Sequence, residues 1–178
     1  MVLGGWNVIE MLPSASDCLI TFSMQEAPAP ANGYFADHIE NLCRSFRHWS
    51  GRELIAPVDG MELAEALYRH AAVVLSHNTA ADPLFNYANL AGQELFEMSW
   101  ETVITTPSRH SAEPVERTER ARLMEAVTSR GFIDDYRGVR VSASGKRFLI
   151  EQATVWNVID ADGDLIGQAA TFDHWISL

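Results

Sequence analysis

The apolar positions change their period along this chain. Between Tyr34 and Trp49, the residues Phe35, Ile39, Leu42, Phe46 and Trp49 recur at steps of three and four, which lays them on one face of an amphipathic helix. Gly51 is placed to end that helix. A second helix is expected from about Gly60 to Arg69, with Met61, Ala64, Leu67 and Tyr68 on its buried side. From His70 the pattern shortens. "AAVVLSH" and "PLFNYAN" are β-branched and aromatic runs joined by the turn-forming "NTAAD", so they predict a hairpin. "LAGQELFE" follows with Asn89 as its N-cap, and "SWETVITT" adds a short turn capped by Ser99. After "PSRHSAEP" a helix opens on Pro114, turns Leu123, Met124 and Val127 to one face and stops at Gly131. Three strands close the chain, Phe132 to Val141, Arg147 to Ile159 and Leu165 to Trp175, hinged by "SASGK" and "DADGD".

This order specifies an α+β fold: five antiparallel strands with short helices gathered on one face, preceded by N-terminal amphipathic helices. Three parts are expected along the chain. Residues 1–33 form a poorly ordered segment ending in the extended "EAPAPAN", residues 34–59 hold the amphipathic helix and a linker, and residues 60–178 form the sheet domain. Met24 lies just before the Pro-rich stretch, so translation could begin there; a flexible tail accounts for the same composition. The stripe of Phe35, Ile39, Leu42, Phe46 and Trp49 has two readings. It packs on the body of its own domain, or it is a dimerisation interface, which its coiled-coil-like spacing allows.

The order of strands and helices is that of the PAS fold, and "GFIDDYRGVRVSASGKRFLIEQATVWNVIDADGDLIGQAATF" resembles its three closing strands. More narrowly, "LSHNTAADPLFNYANLAGQELFEMSWE", "PSRHSAEPVERTERARLMEAV" and "GFIDDYRGVRVSASGKRFLIEQATVWNV" with the terminal "GQAATF" resemble the PAS-like MEKHA domain family. The resemblance runs from about Met61 to Trp175, nearly two-thirds of the chain. It implies sensing or regulation through a pocket between sheet and helices, and it carries no ligand or reaction with it. The family occurs free-standing in bacteria and at the C-terminus of plant class III homeodomain leucine-zipper proteins. No DNA-binding module accompanies it in this sequence, so a transcription-factor role does not carry over.

In such a fold, polar residues on inward strand positions and on the crossing helices are the candidates for ligand contact. Asn86 and Tyr87 form the first group, although Asn86 and Asn89 can equally bond local backbone. The loop "PSRHSAEP" brings Arg109, Ser111 and Glu113. Arg109 and Glu113 can pair with each other, or Arg109 can offer its planar fork to a ligand carboxylate or phosphate. On the long strand, alternation sets Gln152, Thr154 and Trp156 on one face and Glu151, Val155 and Asn157 on the other. Both sets mix polar with apolar members, so either the N-terminal stripe covers one face or one face lines a polar pocket. Gln168 is their neighbour on the last strand, and Trp100 joins Trp156 as a candidate pocket wall, with Trp6, Trp49 and Trp175 assigned to core or interface.

Composition narrows the functions. An apolar fraction of 47% with 21% charged residues is that of an ordinary globular protein. No apolar run reaches the ~20 residues of a membrane span, so no membrane partner is expected. A net charge of −11 opposes phosphate-backbone binding, so no nucleic-acid partner is expected either. Two cysteines, Cys18 and Cys43, make neither a disulfide framework nor a zinc site, and the N-terminus lacks a secretory signal, which points to the cytoplasm. No cysteine lies between Ile55 and the C-terminus, which excludes a covalent flavin adduct, and the lone His110 gives haem little support. No metal or cofactor-binding motif is present. Three functions remain: a sensory module with a small-molecule ligand that signals through its N-terminal helices, an interaction module or homodimer with a filled pocket, and an enzyme. The enzyme would use Glu113 or Glu151 as base and Arg109 as an anion clamp.

Overall fold

The computed structural model describes residues 26–113 and 117–178. The expectations for Trp6, Cys18, Met24 as a start, Pro114 and most of the segment 1–33 therefore lie outside the described residues. Helix α1 spans Ala36–Ser50, entered through a 3-10 turn at Pro30–Phe35. In that turn Ala29 N–H donates to Asn32 Oδ1 at 2.8 Å, and Asn32 Nδ2 donates to the Ala27 carbonyl at 2.9 Å. Gly51 caps α1 in the left-handed conformation, its N–H reaching Arg47 O. Helix α2, Leu63–Tyr68, buries Ala64, Leu67 and Tyr68.

The sheet is antiparallel throughout. Strands β1 (Val73–His77), β2 (Phe85–Ala88), β3 (Phe132–Val141), β4 (Arg147–Ile159) and β5 (Leu165–Phe172) lie in the order β2-β1-β5-β4-β3. The single closing strand expected to reach Trp175 ends at Phe172, and a short β6, Trp175–Ser177, resumes pairing with β4 at Phe148–Ile150. Between β2 and β3 lie α3 (Leu90–Phe96), α4 (Trp100–Val103), a 3-10 turn at Ser108–Ser111 and α5 (Arg117–Arg130).

Helices cover both sides of this sheet. On one side, here the inner face, α3 and α5 pack over Leu75, Ala153, Val155, Ile133 and Phe172. On the other, outer face, α1 and α2 lie over Val74, Trp156, Val158 and Ala169. Ile39 and Leu42 are fully buried there, Phe35 and Phe46 nearly so, and the Trp49 indole N–H donates to Asn157 O at 2.8 Å. The stripe is therefore consumed within the chain, which corrects its reading as an exposed dimerisation interface: the sheet had a second apolar face and α1 is the element that covers it.

Gly131 shows how closely α1 sits. It ends α5 with φ +77°, and a Cβ there would fall 2.2 Å from the Trp49 ring. Asn89 fixes the join between strand and helix. Its Oδ1 accepts from Gly92 N and Val74 N, both at 3.0 Å, while its Nδ2 donates to Ala72 O at 2.7 Å and His70 O at 3.1 Å. The expected N-cap is thus also the buried tie between β1, β2 and α3, with every polar atom satisfied. Ser99 caps α4 as its position suggests, accepting from Thr102 N.

Candidate functional site

The mixed polarity of β4 has a local cause. Phe148 and Ile150 face inward, and so do Ala153 and Val155, so the alternation skips a residue between them. The skipped position is Gln152, which takes φ +55° in a bulge where the β3–β4 register shifts. Simple alternation through this point inverts the faces. Gln152 projects into solvent, and Thr154 and Trp156 face α1 rather than a ligand pocket. Those three candidates are corrected on that ground.

Two hollows flank the sheet. The inner cavity, about 140 Å³, lies between the inner face, α3, α5 and the Ser108–Ser111 turn. Its walls are Phe85, Phe96, Leu123, Ile150, Val155 and Phe172, and its polar lining comes from His77, Ser111, Tyr136, Arg140 and Gln168. This is close to the ~150 Å³ apolar cavity that admits one benzene, and below the ~300 Å³ at which drug-sized pockets begin. A multi-ring cofactor does not fit it. The outer cleft, about 610 Å³, opens beside the start of α1 and is lined by Asn32, Asp37, His38, Asn41, Asn86 and Ile166. Most of its polar groups are bonded to their own chain: Asn32 to the Pro30 turn, Asn41 to Arg44, and His38 and Asn86 to Ser76.

Of the ten ligand candidates, only Ser111 and Gln168 meet in the inner cavity. Ser111 is buried and its hydroxyl donates to Ser108 O at 2.8 Å. Asn86 lies on the outer cleft, accepting from Ser76 Oγ at 2.7 Å. Tyr87 and Trp100 belong to the outer core, with their rings 6.4 Å apart and the Phe35 ring tilted against Trp100 at 5.4 Å. Burial pushes the Tyr87 phenol far above its ordinary pKa. Arg109 pairs with Asp82 at the surface rather than with Glu113, and Glu113 forms a two-pronged pair with Arg147 at 2.5 and 3.0 Å. Glu151 pairs with Arg137. The base and clamp imagined for an enzyme are thus separately paired, and none lines the inner cavity. His110 is exposed, and Cys43 sits on α1, its thiol raised to about 11 by burial and then by Glu53.

The residues missed by sequence reasoning are Tyr136 and Arg140. They stand with Gly138 on alternate positions of β3 facing inward, a pattern that was present as "YRGVR". Arg140 Nη1 donates to Val139 O at 3.1 Å and Nη2 to the Tyr136 hydroxyl at 3.4 Å, with the guanidinium carbon 5.3 Å from the Tyr136 ring centre. A charged residue at an inward position of an otherwise apolar strand face was the available signal.

On the outer side, a side-chain network ties β1 and β2 to α1. Ser76 on β1 donates to Asn86 Oδ1, which leaves its lone pairs to accept from His38 Nε2 at 3.0 Å. Burial lowers His38 to about 4, so the imidazole is neutral near pH 7.

An antiparallel sheet roofed by short helices over a central hollow is the PAS class of fold, and the comparisons agree. A PAS domain from Colwellia psychrerythraea superposes with a TM-score of 0.52 at 14% identity, covering 65% of this chain and 92% of that one. An RNA-binding light-oxygen-voltage receptor superposes with a TM-score of 0.53 at 17% identity, covering 70% of this chain and 36% of that one. Within that class the chain belongs to the MEKHLA domain family, the full spelling of the MEKHA family resembled above, whose profile matches residues 36–177 and so takes in α1. Homeobox-leucine zipper protein HOX29 of Oryza sativa subsp. indica is 30% identical over 134 residues, covering 68% of this chain. The matched region is 15% of that plant protein's length.

Proposed function

We propose that the chain is a cytoplasmic regulatory module that holds a small organic ligand non-covalently in the inner cavity and reports its occupancy through α1. The observation that carries this reading is the position of β1. Leu75, Ser76 and His77 line the inner cavity, and the Ser76 hydroxyl is also hydrogen-bonded to His38 of α1. A ligand that shifts β1 changes the geometry of a bond to α1, and it biases the helix by as much as its affinity differs between the two arrangements. The similarity to a plant homeobox-leucine zipper protein supports a regulatory setting for the domain.

The test is a thermal-shift screen of the purified chain against fragment-sized organic compounds, followed by hydrogen exchange. A ligand at ~100 times its Kd stabilises the fold by ~2.7 kcal/mol, so a hit raises Tm by several degrees. Exchange in α1 should change with it, and Ser76→Ala should uncouple α1 while leaving the Tm response. If no compound moves Tm, the ligand reading fails; if Tm moves and α1 exchange does not, the signalling half fails.

A further inference from the structure

We infer that the inner cavity is selective for a small organic carboxylate whose anionic end is held by Arg140. This deepens the reading of that cavity as a ligand site and rests on it.

The first ground is charge. Eight side-chain cations in the described residues are paired with carboxylates, from Arg47 with Glu53 to Arg147 with Glu113. Acid is plentiful in a chain of net charge −11. Arg140 has no carboxylate partner among the described residues, although its side chain is half-buried and lines the inner cavity; Arg44, bonded to Asn41 and the Ile159 carbonyl, has none either but lies away from that cavity. A guanidinium withdrawn from water without a counter-ion is costly, and a carboxylate arriving in the cavity supplies what is missing.

The second ground is placement. Val139 O and the Tyr136 hydroxyl each accept one N–H from Arg140, and the Tyr136 ring lies under the guanidinium. The remaining donors of the five-donor fork have no partner among the described residues. Gly138 makes this arrangement possible. A Cβ at Gly138 would stand 2.8 Å from the Tyr136 hydroxyl and 3.1 Å from Arg140 Nη1, the space those groups now occupy. Ala112, beside Ser111, bridges to Arg140 across the rim, so the polar end of the cavity is built from two elements.

The third ground is size. A cavity of about 140 Å³ walled by Phe85, Phe96 and Phe172 takes a body of roughly one six-membered ring or a short alkyl chain. The ligand class is therefore a monocyclic or short-chain monocarboxylate. Its planar head matches the fork of arginine, which lysine does not reproduce.

The experiment compares acids with their neutral, nearly isosteric amides on the full chain by calorimetric titration. The probes are benzoate with benzamide and hexanoate with hexanamide. At least one acid is expected to bind about tenfold or more tightly than its amide, as charge-assisted paired bonds require. Arg140→Gln should remove most of the acid's advantage, weakening the acid far more than the amide, and Arg140→Lys should recover only part of the preference. Gly138→Ala, which moves the fork without removing it, should weaken the acid alone. Equal binding of acid and amide by the parent chain, or an acid preference that survives Arg140→Gln, overturns the carboxylate inference and leaves the cavity reading intact. Failure of all four probes to bind a chain shown to be folded by circular dichroism overturns both.

Discussion

Ala169 and Ala170 are neighbours on β5 that face opposite ways, and their surroundings differ in kind. Ala169 stands opposite Trp156 in the outer core, beneath α1. Ala170 stands opposite Val155 and lines the inner cavity. The outer layer is locked by aromatic pairs, Phe46 with Trp156 at 5.0 Å and Tyr34 with Tyr68 at 5.7 Å. Across the sheet the apolar cluster closes incompletely and keeps a guanidinium at its rim. The same strands therefore serve two purposes. The outer face holds the N-terminal helix on a core of packed aromatic rings, with a cleft only at the start of α1, and the inner face keeps a small cavity with a guanidinium in its lining.

The largest test of that contrast is truncation on the filled face. Trp156 is wholly buried, and Trp156→Ala should cost ~3–5 kcal/mol in urea unfolding. Ser111→Ala in the inner cavity, which removes one hydrogen bond from a buried hydroxyl, should cost about 1 kcal/mol. Ile39→Asp, which places a charge at a fully buried position, should unfold the chain rather than merely abolish association. A folded Ile39→Asp variant with altered self-association would restore the dimerisation reading of the stripe.

Acid comes next in size. His38 has a folded-state pKa of about 4 against an ordinary 6.5, so the unfolded chain takes up its proton first. Stability from this group is complete above pH 6.5, is lost as pH falls from 6.5 to 4, and is flat below that. The loss is at most on the order of 3 kcal/mol, and less to the extent that the cleft beside His38 admits water. Glu97, lowered to about 2 mainly by Lys146 and then by Ser144 and Ser142, has the same sign but acts between 4.5 and 2. The two windows are therefore separable. His38→Gln keeps an N–H for Ser76 and should flatten only the upper window. A parent curve already flat there contradicts the desolvated imidazole.

The neighbouring alanines give a paired test of smaller effect. Ala169→Leu overpacks the outer core and should cost ~1–3 kcal/mol. Ala170→Leu enters a hollow that can take it, so stability should stay within about 0.5 kcal/mol while ligand binding is lost. Equal costs at the two positions would mean that the two faces are equally packed.

Much of this contrast was legible in the sequence, and the part that was not has identifiable causes. The stripe of α1, the cap at Asn89 and the tight turns of the closing strands follow from local periodicity and capping chemistry, which act over a few residues. The bulge at Gln152 leaves no comparable mark, and it decides which side of β4 each later side chain takes. Alternation alone left open which face Thr154 and Trp156 take, so they could be offered as pocket candidates although they lie on the outer side. Arg109 looked suited to clamp an anion, and Glu113 to pair with it or act as a base, because their types were visible. Their partners Asp82 and Arg147 are distant in sequence and were not. Arg140 was overlooked for the converse reason, since its importance rests on the acid that is missing beside it.

The smallest effect concerns the filled face itself, which is packed better than it is bonded. The Tyr87 hydroxyl and the indole nitrogens of Trp100 and Trp156 are buried and have no hydrogen-bond partner among the described residues. A buried polar atom left unpaired carries a desolvation cost, so deleting it without changing shape should be neutral or favourable. Tyr87→Phe keeps the ring against His38 and Trp100 and removes only the oxygen. Stability should rise by up to ~1 kcal/mol, and binding at the inner cavity should not change, because Tyr87 lies on the other side of the sheet. A loss of more than about 1 kcal/mol would mean that the phenol has a partner, such as an ordered water held near Tyr68 and Cys43, the two groups that act on its ionisation. The outer layer would then hold a polar site of its own, and the division between a filled face and an open one would no longer stand.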